Sequence, residues 1–466
     1  MRKSLIIIAV LLALSIGVIV SAAVTMDARH ECIAITEETL YGDPAAAAGL
    51  SVSTRVHNDH HLFWDTTYQV CADPRPETVF SYSDAPLYEQ GEPEGHFAVE
   101  TAYLNCGMSG TIDLEQEMEN NNAYSDSTGL WYMVKDVADR TEPGEEHTEL
   151  VNLIDYYATF PIDFSFDPYK GMEYWEGHES FTKYLNRIFP IPVPEELRLN
   201  VTICKDEEGN IYNIDYYEED PGAAEVTYVW SPSVVLYDGV FFGMVGNVDF
   251  SQFPDGYGLY YLPIAENDKI NAINRSTGET VHEIYLTQRI KNIYPMDPAD
   301  SEEGSLWLSA DRKQVYAITK EQGEYILTVF DSQTCEILQQ LKPGINQIPT
   351  LWQQDNIVAL VTRDEAWENF FLQVYLVEDG KLTLWLDTEL FQEGDSGPYW
   401  YVDTEMAYDG ERLAIVQYHD SWDIATHQVL IYDQTGLLYA GDFHHSGDDL
   451  PDRLITWDGG LQIKWD

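Results

Sequence analysis

The feature that most narrows how this chain can fold is a phrase that it repeats. Residues 234–242, with Asp238-Gly239 at their centre, run strand, Asp-led tight turn, strand. The same phrase recurs at 306–318, 351–360, 406–415 and 454–463. Asp-Gly between alternating apolar runs is hairpin chemistry, because the turn needs positive φ. A second phrase alternates with the first at 273–281, 329–337, 374–382 and 430–438, with aligned turn positions at Gly278, Cys335, Gly380 and Gly436. These turns fall 45 to 57 residues apart, and a longer, earlier repeat holds 201–211.

Two hairpin turns per repeat make four strands, and four-stranded units of this size stacked around an axis form a β-propeller. A pair of sandwiches would instead show one Greek key per roughly 100 residues and no shared phrase. The expected fold is therefore all-β: a β-propeller of six or seven four-stranded blades, seven being favoured, over residues 50–466. The last phrase stops at Trp465-Asp466 after two strands. Strands at 51–56 and 61–67 are expected to complete it, closing the ring with N- and C-terminal strands in one blade. Residues 173–189, ended by Pro190, Pro192 and Pro194, read as a helical insertion. Residues 27–49 read as a stalk or linker with a small strand at 32–36.

Arg2 and Lys3 precede an uncharged run from Leu5 to Val24. Twenty helical residues cover about 30 Å, the thickness of a hydrocarbon layer. Val20-Ser21-Ala22 also offers small residues to a signal peptidase. Residues 1–26 are thus read as a signal peptide or a transmembrane anchor, with both alternatives open. Either sends the remainder outward, to an extracytoplasmic place that is secreted or, through residues 5–24 if uncleaved, tied to the cell membrane.

Asp and Glu number 80 against 25 Lys and Arg, a formal net charge of -55. That field repels phosphates, and no local basic patch beyond Arg2 and Lys3 overrides it, so nucleic acid is excluded as a partner. The five cysteines, at 32, 71, 106, 204 and 335, include no C-x-x-C pair, which excludes a zinc ribbon and a thioredoxin-like motif.

The D-x-x-T-G turn of Asp433-Gln434-Thr435-Gly436, its variant at 274–278 and the Asp-Gly hairpins resemble those of exported bacterial β-propellers of the WD40-like and quinoprotein-like type. The resemblance covers roughly residues 50–466, is of a general kind and names no single family. It implies the propeller fold. The terminal Trp and the vicinal cysteine pair of quinone-binding members are missing here, as is the G-H … W-D pair of WD40 blades.

No G-x-S-x-G, H-E-x-x-H, G-x-x-x-x-G-K-[ST] or G-x-G-x-x-G occurs. Histidine placement is more suggestive: five of twelve fall in two short segments, 56–65 and 441–449. Imidazole with carboxylate suits zinc and similar ions. Ring closure would bring the segments together, so the candidate metal ligands are His57, Asp59, His60, His444, His445 and Asp448, for a divalent cation. The competing reading is structural hydrogen bonding, since neighbouring residues on a strand face opposite ways. Acidic loops at 206–210 and 448–452 lack EF-hand spacing and read as solvated turns. Tyr156-Tyr157, Tyr216-Tyr217, Tyr260-Tyr261 and Tyr399-Trp400-Tyr401 read as core layers, with sugar or peptide stacking as the functional alternative. Two functions follow: a monomeric, non-enzymatic extracytoplasmic module binding a protein or carbohydrate partner, or a polysaccharide or peptide hydrolase or lyase working in the funnel.

Overall fold

A computed structural model of the chain describes residues 2–29, 34–58, 62–70, 76–82, 96–101, 104–120, 130–167, 185–219, 229, 231–236, 239–246, 248–253, 255–263, 270–273, 280–284, 290–300, 303–364, 366, 369–391, 404–418, 426–446 and 461–466. In chain order its elements begin with α1 (Arg2–Arg29), β1 (Ala34–Gly42), β2 (Leu50–Asn58), β3 (Leu62–Gln69), β4 (Glu77–Tyr82), β5 (His96–Thr101) and β6 (Cys106–Ile112). Next come α2 (Leu114–Asn120), α3 (Trp131–Arg140), β7 (Glu146–Asn152), β8 (Ile162–Asp167), β9 (Arg198–Lys205), β10 (Ile211–Glu218), β11 (Ser233–Val235) and β12 (Gly239–Phe242). These are followed by β13 (Gly258–Pro263), β14 (Ile270–Ile273), β15 (Thr280–Ile284), β16 (Lys291–Pro295), β17 (Gly304–Leu308), β18 (Gln314–Glu321), β19 (Glu324–Asp331) and β20 (Ile337–Leu341). The last are β21 (Thr350–Gln354), β22 (Ile357–Arg363), β23 (Phe370–Glu378), β24 (Lys381–Glu389), β25 (Thr404–Tyr408), β26 (Leu413–Tyr418), β27 (Thr426–Asp433), β28 (Gly436–Ser446) and β29 (Leu461–Trp465). Of the helix expected over 173–189, residues 185–188 are helical and 173–184 lie outside the described residues.

The chain divides into two compact units, one of residues 1–92 with 349–466 and one of residues 93–348. The first holds three sheets, ordered β1-β28-β27-β26-β25, β29-β2-β3-β4 and β21-β22-β23-β24. In β27, alternate side chains reach opposite faces. Val429 and Ile431 join Tyr439 and Phe443 in a core with Val52, Tyr68 and Leu461. Leu430 and Tyr432 join Ala440 in another with Ile357, Ala359 and Leu372. Burial on both faces explains why this strand reads as an unbroken apolar run. The second unit holds β6-β10-β9-β7, β11-β12-β13-β16 and β17-β18-β19-β20, with two hairpin-sized sheets, β5-β8 and β14-β15.

The repeated phrases owe their turns to aspartate. The Asp331 carboxylate accepts from the Gln333 and Thr334 amides at 3.0 and 2.8 Å. Asp409 does the same for Glu411 and Arg412 at 2.9 and 2.6 Å. Each side chain thus satisfies the donors that the turn leaves open. Cys335 sits at φ 59, taking the left-handed position that Gly380 fills at φ 74 in a sister turn. A second regularity is polar. In five of the six larger sheets a side-chain hydrogen bond joins neighbouring strands. These are Thr66 with Thr78 (3.0 Å), Thr148 with Thr202 (2.9 Å), Gln340 to Thr328 (3.2 Å), Gln373 to Asp387 (3.2 Å) and Gln428 to Asp442 (3.3 Å).

The closed β-propeller is overturned. Six antiparallel sheets of four or five strands resemble blades, but none is closed or curled into a propeller. The repeated phrase encodes a hairpin and its strand register, and neither fixes how separate sheets are placed about an axis. β29 pairs with β2, from Leu50↔Trp465 to Thr54↔Leu461. That pairing completes one sheet, and a completed sheet is not a ring. The transmembrane and membrane reading of the N-terminus is corrected too: among the described residues no helix is long and apolar enough to cross a membrane.

Candidate functional site

α3 is amphipathic. Trp131, Met133, Val134, Val137 and Ala138 are buried, while Tyr132, Asp139 and Arg140 lie on the exposed side. Its first turn has no side-chain cap from Leu130. Two tyrosines supply acceptors for the amides a helix start leaves open: Leu130 N–H donates to Tyr216 Oη at 3.4 Å and Tyr132 N–H to Tyr157 Oη at 3.1 Å. At the other end Thr141 Oγ1 donates to the Val137 carbonyl at 2.9 Å. Lys205 Nζ donates to the Ala138 and Thr141 carbonyls at 2.7 and 2.9 Å, placing a cation where the helix dipole favours one.

The hydroxyl that caps α3 also brings the Tyr157 ring beneath Tyr132, with centroids 6.2 Å apart and planes at 49°. Tyr132 is 68% exposed. Spacing of i, i+4 and i+8 puts Tyr132, Asp136 and Arg140 along one helix face. Arg140 Nη1 donates to Asp136 Oδ2 at 2.6 Å, and its Nε and Nη2 reach Glu149 Oε2 of β7 at 3.2 and 3.0 Å. His147 Nε2 lies 3.4 Å from the same Glu149 oxygen. Tyr156 donates its phenol to Asp136 Oδ2. Asp136 Oδ1 and Glu149 Oε1 face no protein partner among the described residues. The Tyr156 and Arg140 hydrogen bonds hold the Asp136 carboxyl below its usual range. Burial pushes the Tyr157 phenol up to about 12, so both partners of α3 at this face stay neutral phenols at ordinary pH. The result is an open aromatic ring next to two carboxylates fixed by one guanidinium, an arrangement that offers an apolar plane and oriented acceptors together.

Tyr156 and Tyr157 follow a 3-10 turn over Leu153–Asp155 and do not alternate along a strand, which is why both reach α3. Tyr216, Tyr260 and Tyr261 are core residues, Tyr217 is exposed, and residues 399–401 lie outside the described residues. Among the expected metal ligands, Asp59, His60 and Asp448 lie outside the described residues, as do the side chains of His57 and His445. His57 is on β2 and paired with Phe63, whereas His444 and His445 are on β28, opposite Thr36 and Ile35. His444 Nε2 is 3.9 Å from the Glu38 carboxylate. Among the described residues no three His, Cys, Asp or Glu are grouped to hold a metal ion. Sequence reasoning missed Tyr132, Asp136 and Arg140, although the i, i+3, i+4 apolar spacing from Trp131 to Ala138 was a legible signal for their helix.

No family model matches the chain, and no curated protein is similar to it. Solved structures of some likeness include a proposed 6-phosphogluconolactonase from Bacteroides fragilis, 9% identical over 89% of this chain and 97% of that one, TM-score 0.31. AztD from Citrobacter koseri is 8% identical over 89% and 97%, TM-score 0.26, and TolB from Acinetobacter baumannii 10% identical over 90% and 84%, TM-score 0.21. The chain is thus not assigned to a family, and at these TM-scores the likenesses carry no argument about its fold or what it does.

Proposed function

We propose that this chain is an exported, non-enzymatic module that binds carbohydrate on the exposed face of α3. The observation that carries the reading is the Tyr132 ring, 68% exposed, beside Asp136 and Glu149 held by Arg140. An aromatic face suits the C–H face of a sugar ring, and an ionised acceptor makes a stronger hydrogen bond to a hydroxyl than a neutral one does. Arg140 already orients both carboxylates, so little side-chain freedom remains to be lost on binding. Export is supported by Arg2-Lys3, the uncharged run to Val24 and the small residues at 20–22.

The test is a glycan-array screen followed by calorimetry on the wild-type chain and Tyr132→Ala. Loss of one exposed stacking ring, about 1 kcal/mol, is expected to weaken binding roughly fivefold without shifting the melting temperature. Binding of no glycan, or equal binding by both proteins, refutes the reading. A protein ligand captured through the same face would replace carbohydrate as the partner.

A further inference from the structure

The α3 face is longer than one sugar. At 1.5 Å per residue it runs about 6 Å from Tyr132 to Asp136 and about 12 Å to Arg140, which holds Glu149. A single pyranose ring does not cover that length, so the ligand that fits is an oligosaccharide lying along the helix. The Asp136 and Glu149 side chains are 45% and 37% exposed, and the oxygens that Arg140 and Tyr156 leave open are within its reach.

Charge decides which sugar. Residues 131–155 hold seven Asp and Glu against two Lys and Arg. Both cations of this segment are engaged: Lys135 Nζ lies 3.7 Å from Asp139 Oδ2, and Arg140 is shared between Asp136 and Glu149. A uronate or sulfated sugar would meet oriented anions with neither cation left to receive it, on a chain of net charge -55. An amino sugar meets the opposite case. Its ammonium makes charge-assisted hydrogen bonds to carboxylate oxygens, and an exposed tyrosine ring attracts a cation to its face. Tyr156 and Arg140 hold the Asp136 carboxyl below its usual range, so it stays charged down to acidic pH, where a sugar amine is fully protonated.

We propose that the α3 face selects a cationic oligosaccharide, a chain of hexosamine units with free amines, which stacks a ring on Tyr132 and binds its ammonium groups to Asp136 and Glu149. The selection rests on the carbohydrate reading of the same face and fixes the sign of the ligand's charge.

Calorimetry on the full chain compares tetrasaccharides of glucosamine, N-acetylglucosamine and galacturonic acid. The glucosamine tetramer is expected to bind about tenfold more tightly than its acetylated form, by a margin that shrinks with added salt, and the galacturonate tetramer not to bind. Asp136→Asn and Glu149→Gln keep an acceptor oxygen and remove the charge. Each is expected to weaken the glucosamine tetramer about threefold, the scale of an exposed ion pair, and to leave the acetylated one unchanged. Glu336→Gln, which removes one exposed charge from the turn before β20, is expected to change neither. Equal binding of the two tetramers, each weakened by Tyr132→Ala, overturns the charge selection and leaves the carbohydrate reading standing. Glucosamine binding that is indifferent to Asp136→Asn and Glu149→Gln, or lowered as much by Glu336→Gln, also overturns it and assigns the affinity to the charge of the whole chain. No binding of the glucosamine tetramer overturns the selection as well, and a neutral glycan bound through Tyr132 would then keep the carbohydrate reading alone.

Discussion

Gly441→Ala is expected to be among the most damaging single substitutions in the first unit. Tyr439 is fully buried, and its ring folds back over Gly441 of the same strand. A Cβ at 441 would lie 2.6 Å from Tyr439 Cζ and closer still to its hydroxyl, so the ring must leave. The hydroxyl is committed: it donates to Glu37 Oε1 of neighbouring β1 at 2.8 Å. Glu37 Oε2 is buried with no hydrogen-bond partner, so the carboxylate leans on Tyr439 and on Thr39, which donates to Oε1 at 3.1 Å. Forcing one methyl into a filled core costs about 1–3 kcal/mol. Losing a hydrogen bond to a charged group costs about 1.5–3 kcal/mol more. The two effects overlap, so a loss of about 3–5 kcal/mol is expected in urea unfolding followed by tryptophan fluorescence. Tyr439→Phe, which removes the hydroxyl alone, is expected to cost about 1.5–3 kcal/mol. On a Tyr439→Leu background the Gly441→Ala penalty should fall below about 1 kcal/mol, because the phenol it displaces is gone. A Gly441→Ala chain within about 0.5 kcal/mol of wild type, or an equal penalty on the leucine background, would refute the reasoning.

Burial pushes the phenols of Tyr316 and Tyr375 up to about 12, against an ordinary value of 10.0. Above pH ~10 the unfolded chain releases these protons and the fold does not, so stability is expected to fall as pH rises from about 10 to 12, by roughly 2–3 kcal/mol for each phenol. Urea midpoints across that range, with phenolate absorbance, check it; a flat profile contradicts it. Lys205→Met removes the cation that closes α3 and is expected to cost about 1–2 kcal/mol, read as faster amide exchange at residues 138–141. Unchanged exchange there would show that the cap does not hold the helix end. The exported protein is expected to begin after residue 22, which N-terminal sequencing of the extracytoplasmic fraction decides.

The hairpins were legible because a single residue type does the work at each: Asp331, Asp409 and Asp433 bind their own turn amides wherever they occur. The polar pairing between neighbouring strands was not legible, although it recurs in five sheets. Its partners change from Thr with Thr to Gln with Asp, and bulges between Val374 and Tyr375 and between Ile431 and Tyr432 shift the spacing. A constraint on geometry had survived while the letters that meet it had changed. The α3 face shows the same limit more sharply. Tyr132 gains its role from Tyr157, which caps the helix amide beneath it, and the helix itself is closed by Lys205 from β9. Neither contact is written in the local sequence of α3, which on its own spells only an amphipathic helix. The ring failed for the converse reason. Local spelling was strong enough to define each hairpin, but placement of whole sheets depends on contacts between faces, and those faces are uniformly apolar: Val429, Leu430, Ile431 and Tyr432 would bury equally well in many stackings. Specific placement must therefore come from the few polar anchors that bridge sheets, such as Tyr68 with His427 and Trp465 with Ala407. Such anchors, which join residues far apart in the chain, are the part of the design that no repeat phrase carries.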